Sequence, residues 1–132
     1  MSVENTRRVM TLYYSSGPDD MNVLAKDVIF TIMSTGESVQ GPDAVMEMQR
    51  QFYNGSFSAK AKHTNLVIGE SGAVLEARVV GTHTGEYAGI PATGKKIDVP
   101  LVVVYDVEGD FITRGRVYFE VSVFLRQVGV RS

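Results

Sequence analysis

The sequence predicts an α+β fold in which a strongly curved antiparallel sheet wraps around about three helices near the N-terminus. Two observations carry this prediction. Helical patterns, interrupted by one strand, extend from Ser2 to Gly55, and almost everything from Ala59 onward reads as β-strand. The strands of the second part follow one another through short turns, which is typical of an antiparallel meander. A chain of 132 residues is expected to form a single domain, residues 1–132.

Helical patterns dominate the N-terminal part. Ser2 can cap the first helix, because a serine hydroxyl accepts a hydrogen bond from a free N–H group of the first turn, and the Ser-Ser-Gly-Pro sequence at 15–18 ends that helix. Gly41-Pro42-Asp43 is expected to open the last helix, because proline is favoured at the first helical position. The predicted helices are 2–15, 21–25 and 41–55, and the predicted strand is 28–33.

The C-terminal part is predicted to contain four strands. Glycine-containing turns lie at 70–72 and 108–110, and the loop at 85–94 contains three glycines and Pro91. We expect the sheet to curve around the helices, since its apolar face must be covered. The predicted strands are 60–69, 73–85, 97–107 and 111–124.

Composition excludes several classes of function. The net charge is −2 and the 13 Lys and Arg residues are scattered, so a nucleic-acid partner is not expected. There is no cysteine, which removes disulfides, thiolate catalysis and Cys-metal sites. The two histidines, His63 and His83, do not have metal-ligand spacing, so we expect no metal. Neither a signal peptide nor a membrane-spanning run is visible, and we expect a cytoplasmic protein without membrane partners.

The last predicted strand has polar residues at alternate positions. Strand alternation puts Arg114, Arg116, Tyr118 and Glu120 on one face, and Val117, Phe119 and Val121 on the other. If the polar face lines the hollow of the sheet, Glu120 could transfer protons there. The alternative is a solvated face on which the arginines and Glu120 form ion pairs.

Other candidate residues lie on the second long strand and on the helices. Glu76 and Arg78 share a face and could join Glu120 inside the hollow, or form a salt bridge on the outer face. Tyr14 and Tyr53 come from the helices that cover the sheet. A tyrosine hydroxyl pointing inward could donate a hydrogen bond to a substrate carbonyl.

Three segments in this order resemble the SnoaL-like polyketide cyclase family, within the nuclear-transport-factor-2-like superfamily. They are Gly-Thr-His-Thr-Gly at 81–85, Gly-x-Pro-x-Thr-Gly at 89–94, and Gly-Arg-Val-Tyr-Phe-Glu at 115–120. The resemblance implies a cone-shaped α+β barrel with an apolar pocket. In that family a Tyr/His-x-Asp pair on the last strand carries the acid/base of an intramolecular aldol ring closure. Tyr118 and Glu120 occupy those places here, with Glu in place of Asp.

The resemblance implies an enzyme without a cofactor that acts on a small apolar or polycyclic carbonyl compound. Glu120 would be the acid/base and Tyr118 would position the substrate. Tyr14 or His83 would donate a hydrogen bond. The candidate substrate-binding residues are Tyr14, His83, Arg116, Tyr53 and His63.

Two alternatives stay open. Water held by Glu76, Arg78 and Glu120 would resemble the site of limonene-epoxide hydrolases and would hydrolyse an epoxide or ester. A module that binds a hydrophobic ligand or a partner without chemistry is the other. The valines at 102, 104, 121 and 123 could form an apolar sheet face, so we expect a homodimer through the sheet.

Overall fold

A computed structural model describes residues 2–15 and 23–130. The elements, in chain order, are α1 (Val3–Ser15), β1 (Leu24–Ile32), β2 (Glu37–Gln40), α2 (Pro42–Gln51), a π-helical turn (Phe52–Ser56), β3 (Phe57–Ile68), β4 (Gly72–His83), β5 (Lys96–Glu108), β6 (Phe111–Phe119) and α3 (Val121–Gln127).

The six strands form one sheet in the order β2-β1-β6-β5-β4-β3. Strands β3 to β6 make an antiparallel meander, while β1 pairs with β6 in parallel and carries β2 at the edge of the sheet. The predicted α+β fold, a curved sheet with three helices in a cone-shaped arrangement, is confirmed, but the sheet is mixed rather than wholly antiparallel and the third helix lies near the C-terminus rather than the N-terminus. The predicted Ser2 cap is confirmed as well, because its hydroxyl accepts the Asn5 N–H at 3.0 Å.

The last strand was predicted to span residues 111–124, but it ends at Phe119, so the prediction is wrong beyond that residue. The Glu120 N–H still donates to the Pro100 carbonyl, but the backbone then turns into α3, whose first bonds are accepted by the Glu120 carbonyl. The helix buries Phe124 completely, 5.5 Å from the ring of Phe57. Burial of one large side chain therefore overrides the strand preference of the valines at 121 and 123.

Two further elements near the N-terminus differ from the sequence prediction. The predicted short helix at 21–25 is wrong for Leu24 and Ala25, which belong to β1; residues 16–22 lie outside the described part of the chain. Leu24 pairs with Ile112 and is almost completely buried, which favours the strand. The edge strand β2 was not predicted, because four residues are too few to display a period.

The two faces of the sheet have opposite character. On β4 and β5 the side chains alternate, so that Leu75, Val79, Leu101 and Tyr105 are buried on the concave face while Glu76, Arg78 and Asp98 are exposed on the outer face. Helix α1 is held to the turn between β3 and β4 through Thr6, whose hydroxyl donates to the Glu70 carbonyl at 3.0 Å. Among the described residues, no helix is long and apolar enough to cross a membrane.

Candidate functional site

A cavity of about 970 Å³ opens on the concave face of the sheet. Every strand of the sheet contributes to its wall, together with α1, α2 and the π-helical turn. Exposed polar side chains such as Glu37, Gln51 and Lys60 stand at its rim. The aromatic residues that line it are Tyr13, Tyr14, Phe30, Phe52, Tyr53, Tyr87, Tyr105 and Phe119.

The aromatic rings in and beneath the cavity wall form two separate groups. We call the first the hydroxyl cluster: Tyr13, Tyr14, Phe30, His63 and Tyr105. We call the second the phenyl cluster: Phe52, Tyr53, Phe57, His83, Tyr87, Phe119 and Phe124. Within the described ranges, no ring contact joins one cluster to the other. The phenyl cluster contains most of the phenylalanines, although Tyr53 and Tyr87 also belong to it.

The tyrosines of the cavity are neutral hydrogen-bonding groups. Burial raises the pKa of Tyr13, Tyr14 and Tyr105 above the ordinary value, and raises that of Tyr53 to about 12. These side chains therefore keep their protons at physiological pH. In the hydroxyl cluster, the Tyr13 oxygen accepts a hydrogen bond from the Gln49 amide at 2.8 Å.

The Tyr14 oxygen differs from the Tyr13 oxygen, because it is buried without a hydrogen-bond partner of normal geometry among the described residues. The Tyr105 hydroxyl lies close enough to lower the pKa of Tyr14 by hydrogen bonding, but no hydrogen bond of normal geometry joins the two oxygens, so the geometry leaves the Tyr14 oxygen unpartnered. A buried polar atom without a partner is uncommon and is destabilising unless something else satisfies it. The Tyr14 side chain lines the cavity, but its oxygen is buried beneath the cavity surface, so a ligand would supply the missing partner only after a local shift of the side chain.

His63 contacts the ring of Tyr14. The two rings pack edge-on with 4.7 Å between their centroids, and His63 lines the cavity while remaining exposed to solvent. The sequence contained a signal for this orientation. In Ala59-Lys60-Ala61-Lys62-His63 the small residues alternate with lysines, which places His63 on the face of the alanines.

The prediction that the polar face of the last strand lines the cavity is wrong. Val117, Phe119 and Val121 line it instead, and Tyr118 and Glu120 are exposed on the other side. The physical reason is that valine and phenylalanine cost far less to bury in an apolar wall than arginine and glutamate.

Glu76, Arg78 and Arg116 also lie outside the cavity, on the outer face of the sheet. Arg78 forms an ion pair with Asp98 at 2.5 Å, and Glu76 accepts a hydrogen bond from Asn65 at 2.9 Å. Arg116 binds both carboxylate oxygens of Asp106, at 3.0 and 3.1 Å, and the hydrogen bonds raise its pKa. These contacts agree with the alternative in which the charged residues form ion pairs on the outer face of the sheet. Among the described residues, no set of two carboxylates and an arginine lines the cavity.

His83 is not part of the cavity wall either. It is completely buried, and its Nδ1 accepts the backbone N–H of Thr93 at 3.3 Å while the Thr93 hydroxyl lies 3.0 Å away. The expected role as a substrate donor is therefore not supported by its position. The residue orders the loop between β4 and β5.

Several residues of the cavity escaped the sequence reasoning. Tyr105 sits on β5 among valines, where its pattern is that of a core residue, and Gln49 has no motif around it. Glu37, the first residue of β2, is the one acidic residue among the described lining residues, and it is exposed at the rim. No group of His, Asp and Glu in the described part of the chain could hold a metal ion.

Comparison with solved structures agrees with this architecture. A protein described as a SnoaL-like polyketide cyclase from Jannaschia sp. CCS1 has a TM-score of 0.81 at 16% identity, with 99% of this chain and 95% of that chain covered. A polyketide cyclase-type protein from Xanthomonas campestris has a TM-score of 0.75 at 22% identity, covering 95% and 99% of the two chains.

A third solved structure comes from Catenulispora acidiphila. It is a hypothetical protein of ketosteroid isomerase-like fold in complex with trimethylamine, with a TM-score of 0.74 at 16% identity, covering 96% of this chain and 95% of that chain. At these identities the likeness concerns the fold. No curated protein gave a significant sequence match. The family model of the SnoaL-like polyketide cyclases matches residues 13–128, which is most of the chain. The chain therefore belongs to the SnoaL-like polyketide cyclase family.

Proposed function

We propose that this protein is an enzyme of cyclase or isomerase type that acts on a small aromatic or polycyclic ketone without a cofactor. The observation that carries the proposal is the buried, unpartnered hydroxyl of Tyr14, a cavity residue whose ring packs against His63. Family membership supports the reaction class, and the aromatic wall supports the substrate class. We assign the acid/base role to His63 rather than to Glu120, because His63 lines the cavity and Glu120 lies outside it.

In the proposed mechanism the ketone oxygen accepts a hydrogen bond from the Tyr14 hydroxyl. This bond strengthens as negative charge develops on the oxygen, so it stabilises the enolate more than the ketone. His63 removes the proton from the carbon next to the carbonyl and becomes protonated. In a cyclisation the enolate carbon bonds to a second carbonyl carbon, and the proton returns to the new alkoxide. In an isomerisation the proton returns to another carbon.

The test measures enolisation of a model ketone, 2-acetylnaphthalene. The protein is incubated with 2-acetylnaphthalene in D₂O, and exchange of the acetyl protons for deuterium is followed by proton NMR. Removal of one preorganised donor lowers rates by about 10²–10³, and we expect a loss of this size in Tyr14→Phe. Loss of a general base lowers rates by about 10²–10⁴, and we expect this for His63→Gln.

Glu120→Gln and Tyr118→Phe are the matched controls, since both residues stand on the outer face. We expect both variants to exchange at the wild-type rate. Exchange that persists in Tyr14→Phe and His63→Gln, or that disappears in Glu120→Gln, would overturn the assignment.

A binding module without catalysis is the second candidate. The observation that favours it is the position of Glu37: the one carboxylate among the described lining residues is exposed at the rim rather than buried beside the ligand. Binding of 2-acetylnaphthalene with no exchange above the buffer rate would favour this candidate.

We also propose a homodimer formed through the outer face of the sheet. Val74, Val102 and Val104 are only partly buried there, and Tyr118 is 40% exposed beside them. Val121 and Val123, which were expected to extend this face, belong to α3 instead. Light scattering at micromolar concentration should give twice the monomer mass; a monomer would contradict the proposal.

A further inference from the structure

We propose that Tyr87 is the specificity-determining residue of the cavity: its ring is a fixed wall that limits the length of the ligand's fused ring system. The inference deepens the proposed function, because it assumes that the cavity holds an aromatic ligand. It is carried by three observations: the turn that presents Tyr87, the hydrogen bonds that hold this loop at both ends, and the aromatic packing around the ring.

The turn is tight and has an unusual backbone. Tyr87 and Ile90 exchange two backbone hydrogen bonds, of 3.0 and 2.8 Å. Between them Ala88 and Gly89 have φ values of 52° and 79°, as in a type I′ turn. Glycine adopts positive φ freely, but alanine does not. Such a conformation persists only where its surroundings enforce it, and Ala88 itself lines the cavity.

The first end of the loop is held by the π-helical turn. The backbone N–H groups of Thr84 and Gly85 donate to the Ser56 carbonyl at 3.1 and 2.9 Å, and the Ser56 hydroxyl donates to the Glu86 carbonyl at 2.8 Å. The approach is so close that a Cβ on Gly85 would lie 2.5 Å from the Gly55 carbonyl oxygen. This end therefore has little freedom to move.

The second end of the loop is held by His83. Its backbone N–H donates to the Lys95 carbonyl at 2.9 Å, its carbonyl accepts the Gly94 N–H at 2.9 Å, and its buried imidazole accepts the Thr93 N–H. With both ends fixed, the loop presents Tyr87 as part of the rigid wall.

The ring of Tyr87 is itself locked in place. It packs edge-on against Phe52, Phe119 and Phe124, at 5.4–5.6 Å between centroids and interplanar angles of 84–90°. Tyr87 belongs to the phenyl cluster, whereas Tyr14 belongs to the hydroxyl cluster. A ketone whose oxygen binds at Tyr14 would place its rings against other parts of the wall, to which Tyr87 belongs. The Tyr87 ring contacts Phe124, which is completely buried and does not line the cavity. Removing the Tyr87 ring would lengthen the space for the rings and leave the oxygen site unchanged.

The experiment compares two ketones that differ by one fused ring, 2-acetylnaphthalene and 2-acetylanthracene. Dissociation constants are measured by quenching of tyrosine fluorescence, which the absence of tryptophan makes accessible. We expect Tyr87→Ala to improve binding of the three-ring ketone relative to the two-ring ketone by about tenfold or more, as for pocket changes that admit added apolar groups. Tyr87→Phe keeps the ring, so the ratio of the two dissociation constants, three-ring ketone to two-ring ketone, should stay at the wild-type value. Tyr87→Leu serves as a second, less disruptive truncation and should change the ratio in the same direction.

The outcomes separate this inference from the proposed function. A ratio within twofold of wild type in both Tyr87→Ala and Tyr87→Leu overturns the role of Tyr87, whatever the exchange assay gives. A changed ratio without proton exchange supports the role of Tyr87 and removes the catalytic proposal. Failure of wild type and variants to bind either ketone overturns both.

Discussion

Replacing Tyr14 by phenylalanine should make the protein more stable and less active at once. The Tyr14 hydroxyl is buried without a partner, and leaving such a group unsatisfied costs about 1–3 kcal/mol. Phenylalanine keeps the ring and its edge-on contact with His63 but removes the polar atom. We therefore expect the free energy of unfolding to rise by about 1 kcal/mol, at the low end of that range because the residue borders a cavity.

Tyr13→Phe is the matched control for this substitution. Tyr13 neighbours Tyr14 in the sequence and belongs to the same cluster, but its hydroxyl accepts the Gln49 amide at 2.8 Å. Removing it breaks a formed bond, and we expect a loss of about 0.5–1.5 kcal/mol. The two substitutions delete the same atom type from adjacent residues and should change stability in opposite directions.

The assay is urea denaturation followed by circular dichroism at neutral pH, with the slope of the transition checked for constancy. A gain of about 1 kcal/mol corresponds to about 4 °C in the melting temperature of a domain of this size. If Tyr14→Phe loses as much stability as Tyr13→Phe, the Tyr14 hydroxyl has a partner in the folded protein, and the argument for its role as a free donor fails.

Three further outcomes are expected. Gly115→Ala places a Cβ 2.7 Å from the buried Phe30 ring and should destabilise the protein by about 1–3 kcal/mol. Gly55→Ala is the control, because a Cβ there would meet nothing within 4 Å and should not destabilise the protein. Equal unfolding curves for the two variants would refute the steric argument. Burial raises the pKa of Tyr53 to about 12, so its contribution to stability is complete below the unfolded value of about 10 and is lost as the pH rises toward 12. Tyr53→Phe should therefore flatten the alkaline loss of stability, and an unchanged pH profile would contradict this. Ser2→Ala removes the N-cap of α1 and should cost about 0.5–2 kcal/mol in urea denaturation; no change would mean that solvent caps the helix equally well.

The fold was largely predictable because its signals are local. The turns at 70–72 and 108–110 and the proline at the start of α2 mark boundaries that the chain can adopt without long-range information. The end of β6 was not predictable in this way, because α3 is stabilised by the packing of Phe124 against Phe57 and His83, which are far away in the sequence. The pairing of β1 with β6 also leaves no local trace.

The site was predictable only in part, because a period of two shows which residues share a face but not which face is inside. Tyr14, Tyr53 and His63 were named and do line the cavity. The resemblance to a family motif placed Tyr118 and Glu120 in the cavity. The Phe30 ring instead packs directly against Gly115, so the face of β6 that carries Gly115, Val117 and Phe119 points inward. Glycine at 115 was the available sign, since a strand residue without a side chain often marks a close approach.

The parallel pairing of β1 with β6 has a consequence for how the protein folds. Ile29 to Ile32 meet residues 114–117, so the contact closes a loop of most of the chain and is a non-local pairing of the kind that slows folding. The meander from β3 to β6 can form first from neighbouring segments, while Phe30, a wall of the cavity, stays unplaced until β6 is complete. During synthesis the cavity wall would therefore be complete only after β6 has left the ribosome, and destabilising that strand pair should delay closure of the cavity more than it delays formation of the meander.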